Sequence, residues 1–203
     1  MVIDNETHRL SENNYIPVET NKTQILLGNT FSTGMDHMVA WKTRINGKNK
    51  RTAAFTIDLR GKVYQHYDPK FYTLFTGFER IDKIIIPVVL VNEGYLAKDL
   101  LNNVYYDWIG DIYKRKAEVV EKRWRNQAFW ATYTKAQLNS SVELIKHLCE
   151  QYDIPLETVG HNTKVDTQEL IQFKGVTFKS NYFREYLDLS PAFNYEEFKN
   201  KLK

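Results

Sequence analysis

The residue best suited to take part in a reaction is His161, which follows Gly160 at the end of a predicted short strand, residues 157–161. Glycine lets a ligand come close to the backbone, so a Gly-His step can present an imidazole to a small molecule. The imidazole could act as a general base on a water molecule, with Lys174 or Lys179 stabilising a nearby oxyanion. The same residues would also suit a binding site without catalysis. Alternatively, a lone histidine can have a structural role, with its ring nitrogens hydrogen-bonded to neighbouring residues.

Covalent catalysis is not indicated by the sequence. The single cysteine, Cys149, lies on the apolar face of a predicted helix, where it is typical of a small buried side chain, and it excludes an internal disulfide. No Gly-x-Ser-x-Gly elbow and no phosphate-binding glycine loop occurs.

Two apolar runs predict the strands that would position such a site. Residues 23–30 end in turn-forming residues, which predicts a buried strand opening into a loop. Residues 84–91 are rich in β-branched side chains and predict a central strand, in which Pro87 implies a bulge or an unpaired side. Residues 52–66 predict an antiparallel hairpin with a tight turn at residues 60–61.

Helices are predicted at four places. Thr134 and Gln137 form a capping-box pattern before a helix whose apolar residues recur every three or four positions until Tyr152. A short helix is predicted around residues 36–41 and another over residues 194–202. Residues 114–125, which are basic and interleaved with aromatics, are interpreted as a helix with either a ligand-binding or a solvated cationic side.

The order of these elements predicts an α/β fold with a mixed central β-sheet flanked by helices in three layers. One domain over residues 1–203 is expected, with a core at about 23–178 and an aromatic and basic insertion at about 95–133. The 14% aromatic content is concentrated in that insertion and in the residues after 173. We therefore expect the added aromatics to buttress or cover a cleft.

Charge and hydropathy restrict the partners. A net charge of +3 is too small to indicate a nucleic-acid binder, and no nucleic-acid partner is predicted. No run approaches the roughly 18 apolar residues of a membrane span. The first ten residues lack the apolar segment of a signal peptide, which predicts a protein that is cytoplasmic in the producing cell or associated with a virion.

Four motifs carry a family resemblance in their order along the chain. They are ILLGNT at residues 25–30, AFTIDLRG at residues 54–61, the strand at residues 84–91 running into Asn-Glu-Gly, and Val-Gly-His at residues 159–161 after the long helix. This order resembles the zinc-dependent N-acetylmuramoyl-L-alanine amidases, whose fold is shared by phage lysozyme amidases and peptidoglycan-recognition proteins. The resemblance covers roughly residues 23–178 and points to a phage version.

The resemblance implies metal-assisted amide hydrolysis, in which three protein ligands hold zinc and one position stays open for water. The family's first ligand position corresponds to Gly28, and its second is His161. The third should fall within residues 173–178, which contain neither Cys nor Asp. Only one of the three family ligands is therefore in place, and zinc would need replacement ligands.

His66 and a carboxylate could supply those ligands together with His161, and the metal-ligand candidates are thus His161 and His66. The other interpretation of His66 is a strand-end histidine hydrogen-bonded to a neighbour. His161 and Lys174 are the catalytic candidates. The ligand-binding candidates are Asn29, His66, Glu93, Lys179 and Tyr182.

The resemblance predicts a phage-type amidase-like protein that recognises the muramoyl-peptide amide of peptidoglycan and hydrolyses it where the site is complete. The alternative is an inactive protein on the same scaffold, which serves as a virion component or binds another small polar ligand such as a nucleotide.

Overall fold

The computed structural model describes residues 1–203, which form two β-sheets and six α-helices. The strands are β1 (Ile3–Asp4), β2 (Gln24–Asn29), β3 (Phe55–Ile57), β4 (Val63–Gln65), β5 (Ile85–Leu90), β6 (Tyr95–Asp99), β7 (Val104–Tyr106), β8 (Val120–Trp124), β9 (Gln127–Trp130) and β10 (Gly175–Phe178). The helices are α1 (His37–Thr43), α2 (Glu79–Asp82), α3 (Lys135–Tyr152), α4 (Thr167–Gln172), α5 (Lys179–Tyr182) and α6 (Tyr195–Leu202). No helix has both the length and the hydrophobicity of a transmembrane segment.

The larger sheet has six strands in the order β1-β4-β3-β5-β2-β10. Strands β3, β5, β2 and β10 run parallel to one another, whereas β4 is antiparallel to β3. The predicted mixed central sheet is thus confirmed, and the carboxyl ends of its four parallel strands meet at one edge. Open α/β sheets place their ligands at this edge.

Pro87 leaves one side of β5 unpaired without producing a bulge. The register between β5 and β2 runs through Pro87 without a shift. On the side of β3, the Pro87 carbonyl accepts a hydrogen bond from the backbone N–H of Ala54. The N–H and C=O of one strand residue point the same way, so the N–H that proline lacks would also have faced β3. The nearby Thr52 carbonyl instead accepts a hydrogen bond from the hydroxyl of Thr73 at 2.7 Å.

Helices cover both faces of the sheet and give the predicted three layers. One face, which includes Ile25 and Leu27, packs in a core cluster with α3 and α6. The other face, which includes Leu26 and Val89, packs with residues of α2, α4 and α5. The alternation of neighbouring β2 residues between the two clusters follows from the two-residue period of a strand.

The predicted start of α3 is confirmed. The Thr134 hydroxyl accepts from the Gln137 backbone at 3.1 Å, and the Gln137 side chain accepts from the Thr134 backbone at 3.0 Å. Asp153 ends the helix in the left-handed conformation, with φ at 54°.

The predicted helix over residues 114–125 is wrong. The insertion is a four-stranded antiparallel sheet in the order β7-β6-β9-β8, and only Lys116–Glu118 forms a 3-10 turn. Val119 and Val120 favour extended backbone. Arg125 and Asn126, with φ of 47° and 66°, form the two-residue turn between β8 and β9.

The predicted strand over residues 157–161 is reduced to one parallel bridge between Thr158 and Val176. Because this bridge keeps residues 158–161 parallel to β10, His161 lies at the carboxyl end of the sheet.

Candidate functional site

Gly28 and Lys179 are neighbours at the carboxyl edge of the six-stranded sheet. Parallel pairing of β10 with β2 aligns Phe178 with Leu27, so the residues that follow them, Lys179 and Gly28, are neighbours. The Cδ atom of Lys179 lies 3.6 Å from where a Cβ on Gly28 would be. Lys179 therefore lies beside Gly28, whereas the next residue, Asn29, directs its side chain to Tyr133.

The Asp188 carboxylate fills the space beside Gly28 at this edge. Its Oδ2 accepts a hydrogen bond from the backbone N–H of Asn29 at 3.0 Å, and the residue is 1% exposed. Burial raises the pKa of Asp188, while the positive charge of Lys179 and the Asn29 amide oppose that rise. The Lys179 ammonium lies 4.4 Å from the ring centroid of Phe75 and 4.6 Å from that of Tyr186.

Tyr133 links Asn29 to residues 180–190, which we call the C-terminal segment. Its hydroxyl donates to Asn29 Oδ1 at 2.6 Å and accepts from the Ser190 backbone at 3.3 Å. Burial raises the pKa of Tyr133, which keeps the hydroxyl protonated and able to donate.

Arg125 ties the insertion to the same segment. From the β8–β9 turn its guanidinium donates to the carbonyls of Ser180 at 2.8 Å, Phe183 at 3.0 Å and Tyr186. Three carbonyl acceptors around one guanidinium fix the path of residues 180–186 across the edge.

His161 lies within an aromatic cluster. Its ring stacks on Tyr195 with centroids 5.3 Å apart and meets the rings of Phe178 and Phe193 edge-on at 5.1 and 5.8 Å. Burial lowers its pKa to about 4, although a hydrogen bond with the Leu189 backbone opposes this shift. Its Nε2 is enclosed and has no hydrogen-bond partner, so the ring does not offer this nitrogen to a water molecule as a general base would.

An open cleft of about 700 Å³ lies beside His161. Lys122 and Trp124 of strand β8 line this cleft, and so do Asn162 and Tyr195. A mixture of aromatic surface and polar groups is suited to a small polar ligand.

Lys174 and Tyr182 do not join this site. Lys174 precedes β10 and is exposed, whereas His161 packs on Phe178 at the other end of that strand. A four-residue strand spans about 13 Å, which separates Lys174 from the imidazole. Tyr182 is 0% exposed and its hydroxyl donates to Gln24 at the start of β2, so it is a core residue.

His66 is the strand-end histidine hydrogen-bonded to its neighbours. Its Nδ1 lies 2.8 Å from the His8 carbonyl, and its Nε2 lies 2.8 Å from the Thr56 hydroxyl, which is also 3.1 Å from His37 Nε2. His66 follows β4, and four strand spacings of about 4.8 Å separate β4 from β10, or roughly 19 Å in all. The structure therefore does not bring His66 to His161.

Glu93 lines a second cleft, of about 720 Å³, between the sheet edge and the insertion. Its Oε2 accepts from Arg115 at 3.1 Å, and the carboxylate side chain is 8% exposed. Thr33 and Asp107 also line this cleft, which does not include His161.

The donor set does not fit a zinc ion. A structural or catalytic site needs at least three protein ligands, and no group of three His, Cys, Asp or Glu side chains in residues 1–203 is arranged to hold a metal. Gly28 has no side chain to offer. Asp166, the first acid after His161, accepts from the backbone of Gln168 at 2.8 Å and caps α4.

Residues 20–169 match the family model for N-acetylmuramoyl-L-alanine amidases, which is well over half of the chain. The chain belongs to this amidase family. The match contains β2, β5, α3 and the Gly160-His161 step, which are the elements on which the sequence resemblance rested. No curated protein sequence matches significantly.

Solved structures share the fold at low sequence identity. The amidase LysC from Clostridium intestinale is 14% identical with a TM-score of 0.54, over 100% of this chain and 97% of that one. A mutant endolysin from Bacillus subtilis is 15% identical with a TM-score of 0.53, over 100% and 99%. The amidase AmiD from E. coli, in complex with anhydro-N-acetylmuramic acid-L-Ala-D-gamma-Glu-L-Lys, is 13% identical with a TM-score of 0.55, over 97% and 66%.

Sequence reasoning missed the residues that organise the edge in this family member: Asp188, Tyr133 and Arg125. Arg125-Asn126 could have been found as a turn dipeptide between two extended runs. Asp188 is flanked by Leu187 and Leu189, which indicates burial but gives no partner.

Proposed function

We propose that this amidase-family protein recognises the muramoyl-peptide part of peptidoglycan in the cleft beside His161. The observation that carries the proposal is the family match over residues 20–169, together with an open polar and aromatic cleft at Gly160-His161. The ligand in the AmiD complex is a muramoyl peptide, which supports the same ligand class here.

Recognition would use the chemistry of the cleft walls. A muramoyl peptide presents sugar hydroxyls, amides and the free carboxylate of its γ-linked glutamate. Lys122 is exposed on β8 and supplies a positive charge for that carboxylate. Trp124 and Tyr195 supply ring surfaces for the sugar or for apolar stem atoms.

Binding of purified muropeptides and of insoluble peptidoglycan tests this function. We expect Lys122→Ala to weaken muropeptide binding about 2- to 5-fold, the size of one solvent-exposed charge pair. Lys146→Ala is the matched control, because Lys146 is exposed on α3 and lines a different hollow. Failure of the unmodified protein to bind either material would refute the proposal.

The same incubation separates recognition from hydrolysis. Free stem peptide in the supernatant would indicate amide cleavage, whereas intact muropeptide in the bound fraction indicates recognition alone. The fold shared with an endolysin supports a phage-type protein, either virion-associated or cytoplasmic in the producing cell. Fractionation of producing cells and purified particles tests that location.

A further inference from the structure

Gly28 and Asp188 compete for one volume at the carboxyl edge of the sheet. A Cβ added to Gly28 would lie 2.7 Å from Asp188 Oδ2 and 3.4 Å from the Phe75 ring. The first of these distances is too short for any real Cβ contact. A histidine side chain at position 28 therefore cannot coexist with the carboxylate in its present place.

The Asp188 carboxylate is firmly held there. It is 1% exposed, accepts the Asn29 N–H at 3.0 Å, and lies in the electrostatic field of Lys179 and Arg125. Moving a charged group that is buried and hydrogen-bonded in this way would leave the Asn29 amide without a partner.

The segment that carries Asp188 is anchored on both sides. Upstream, the Arg125 guanidinium binds the carbonyls of Ser180, Phe183 and Tyr186. Downstream, the Ser190 N–H donates to the Tyr133 hydroxyl. The carboxylate is thus part of a rigid connection between the insertion and the sheet edge.

We propose that Asp188, set between Asn29 and Lys179, fills the space that a metal ligand at position 28 would need, so that the protein folds without zinc. In this arrangement an internal carboxylate and the cations around it connect the carboxyl ends of β2 and β10. Independence of zinc is a property of the fold and does not depend on whether peptidoglycan is the ligand.

Metal content and thermal unfolding test the proposal. After incubation with excess zinc and gel filtration, we expect the unmodified protein to retain less than a tenth of an equivalent by elemental analysis. Its melting temperature should be the same with added zinc and with EDTA. One retained equivalent that is lost in His161→Ala would overturn the proposal.

A mutant cycle tests the competition directly, using alanine at position 28 as the smallest probe. Gly28→Ala should lower the melting temperature by several degrees in the unmodified protein, and by much less in an Asp188→Ala background. Gly160→Ala is the matched control, because a Cβ there comes no closer than 3.4 Å to any atom. Equal effects of Gly28→Ala in the two backgrounds would refute the competition, and the metal measurement on unmodified protein stands even if a variant fails to fold.

Discussion

The Asp188 carboxylate accepts a hydrogen bond from the Asn29 backbone at 3.0 Å across 159 positions of sequence. Asn29 ends β2, near the start of the chain, whereas Asp188 lies close to its end. Contacts of such long range must offset the entropy of closing a long loop, so they depend on the other contacts of the fold. The candidate site is therefore a property of the nearly complete fold.

Removing the Thr56 hydroxyl should destabilise the protein strongly. The His8 carbonyl requires an N–H at Nδ1 of His66, so His66 Nε2 accepts from Thr56, which in turn accepts from His37. Thr56→Val leaves two buried ring nitrogens unpaired, and we expect a loss of about 2–4 kcal/mol in chemical denaturation. Thr56→Ser keeps the hydroxyl and removes one buried methyl group, so it should lose about 1 kcal/mol. Equal losses for the two variants would contradict this hydrogen-bond chain.

Acid should destabilise the protein through the same histidines. Burial lowers the pKa of His37 to about 4 and that of His66 to about 3, from 6.5 in the unfolded chain. Between pH 6.5 and these values the unfolded state binds more protons, so stability falls as the pH falls. At pH 4.5 each group costs about 2 kcal/mol relative to pH 7.

Proton uptake on unfolding checks this pH dependence. Unfolding at pH 5 should take up close to one proton fewer in His37→Gln than in the unmodified protein. His147→Gln is the control substitution, because His147 is exposed on α3 and makes no contact with His37 or His66. An unchanged uptake in His37→Gln would show that His37 is not buried as a neutral ring.

Tyr133→Phe should cost about 1–2 kcal/mol of unfolding free energy. The variant removes the only hydrogen bond to Asn29 Oδ1 and the acceptor for the Ser190 amide. Tyr105→Phe is a suitable comparison, because the Tyr105 hydroxyl makes no hydrogen bond and its ring is half-buried. A Tyr133→Phe protein as stable as Tyr105→Phe would show that the link is not formed in solution.

Arg125→Ala should loosen the C-terminal segment. Three backbone carbonyls lose a charged donor, so we expect about 2–3 kcal/mol less stability and faster proteolytic cleavage within residues 183–190. Arg123→Ala, an exposed neighbour on β8, should leave the cleavage rate unchanged. Similar cleavage rates in the two variants would argue against the anchor.

Local patterns predicted the elements whose signals are short-range. The capping box at Thr134 and Gln137 is read from four consecutive residues, and it forms as expected. The helix predicted over residues 114–125 failed because a charged, valine-containing run suits a solvated helix and an exposed strand alike. Pairing with β9 decided between them.

The sequence by itself determined the family, the strands β2 and β5, and the absence of a side chain at Gly28. Tertiary structure decided what fills that position. Asp188 reaches Gly28 only because β10 pairs with β2, and because Arg125 and Tyr133 hold the following segment across the edge. A buried charge needs partners from distant parts of the chain, and residue spacing along the sequence cannot reveal which partners the fold will supply.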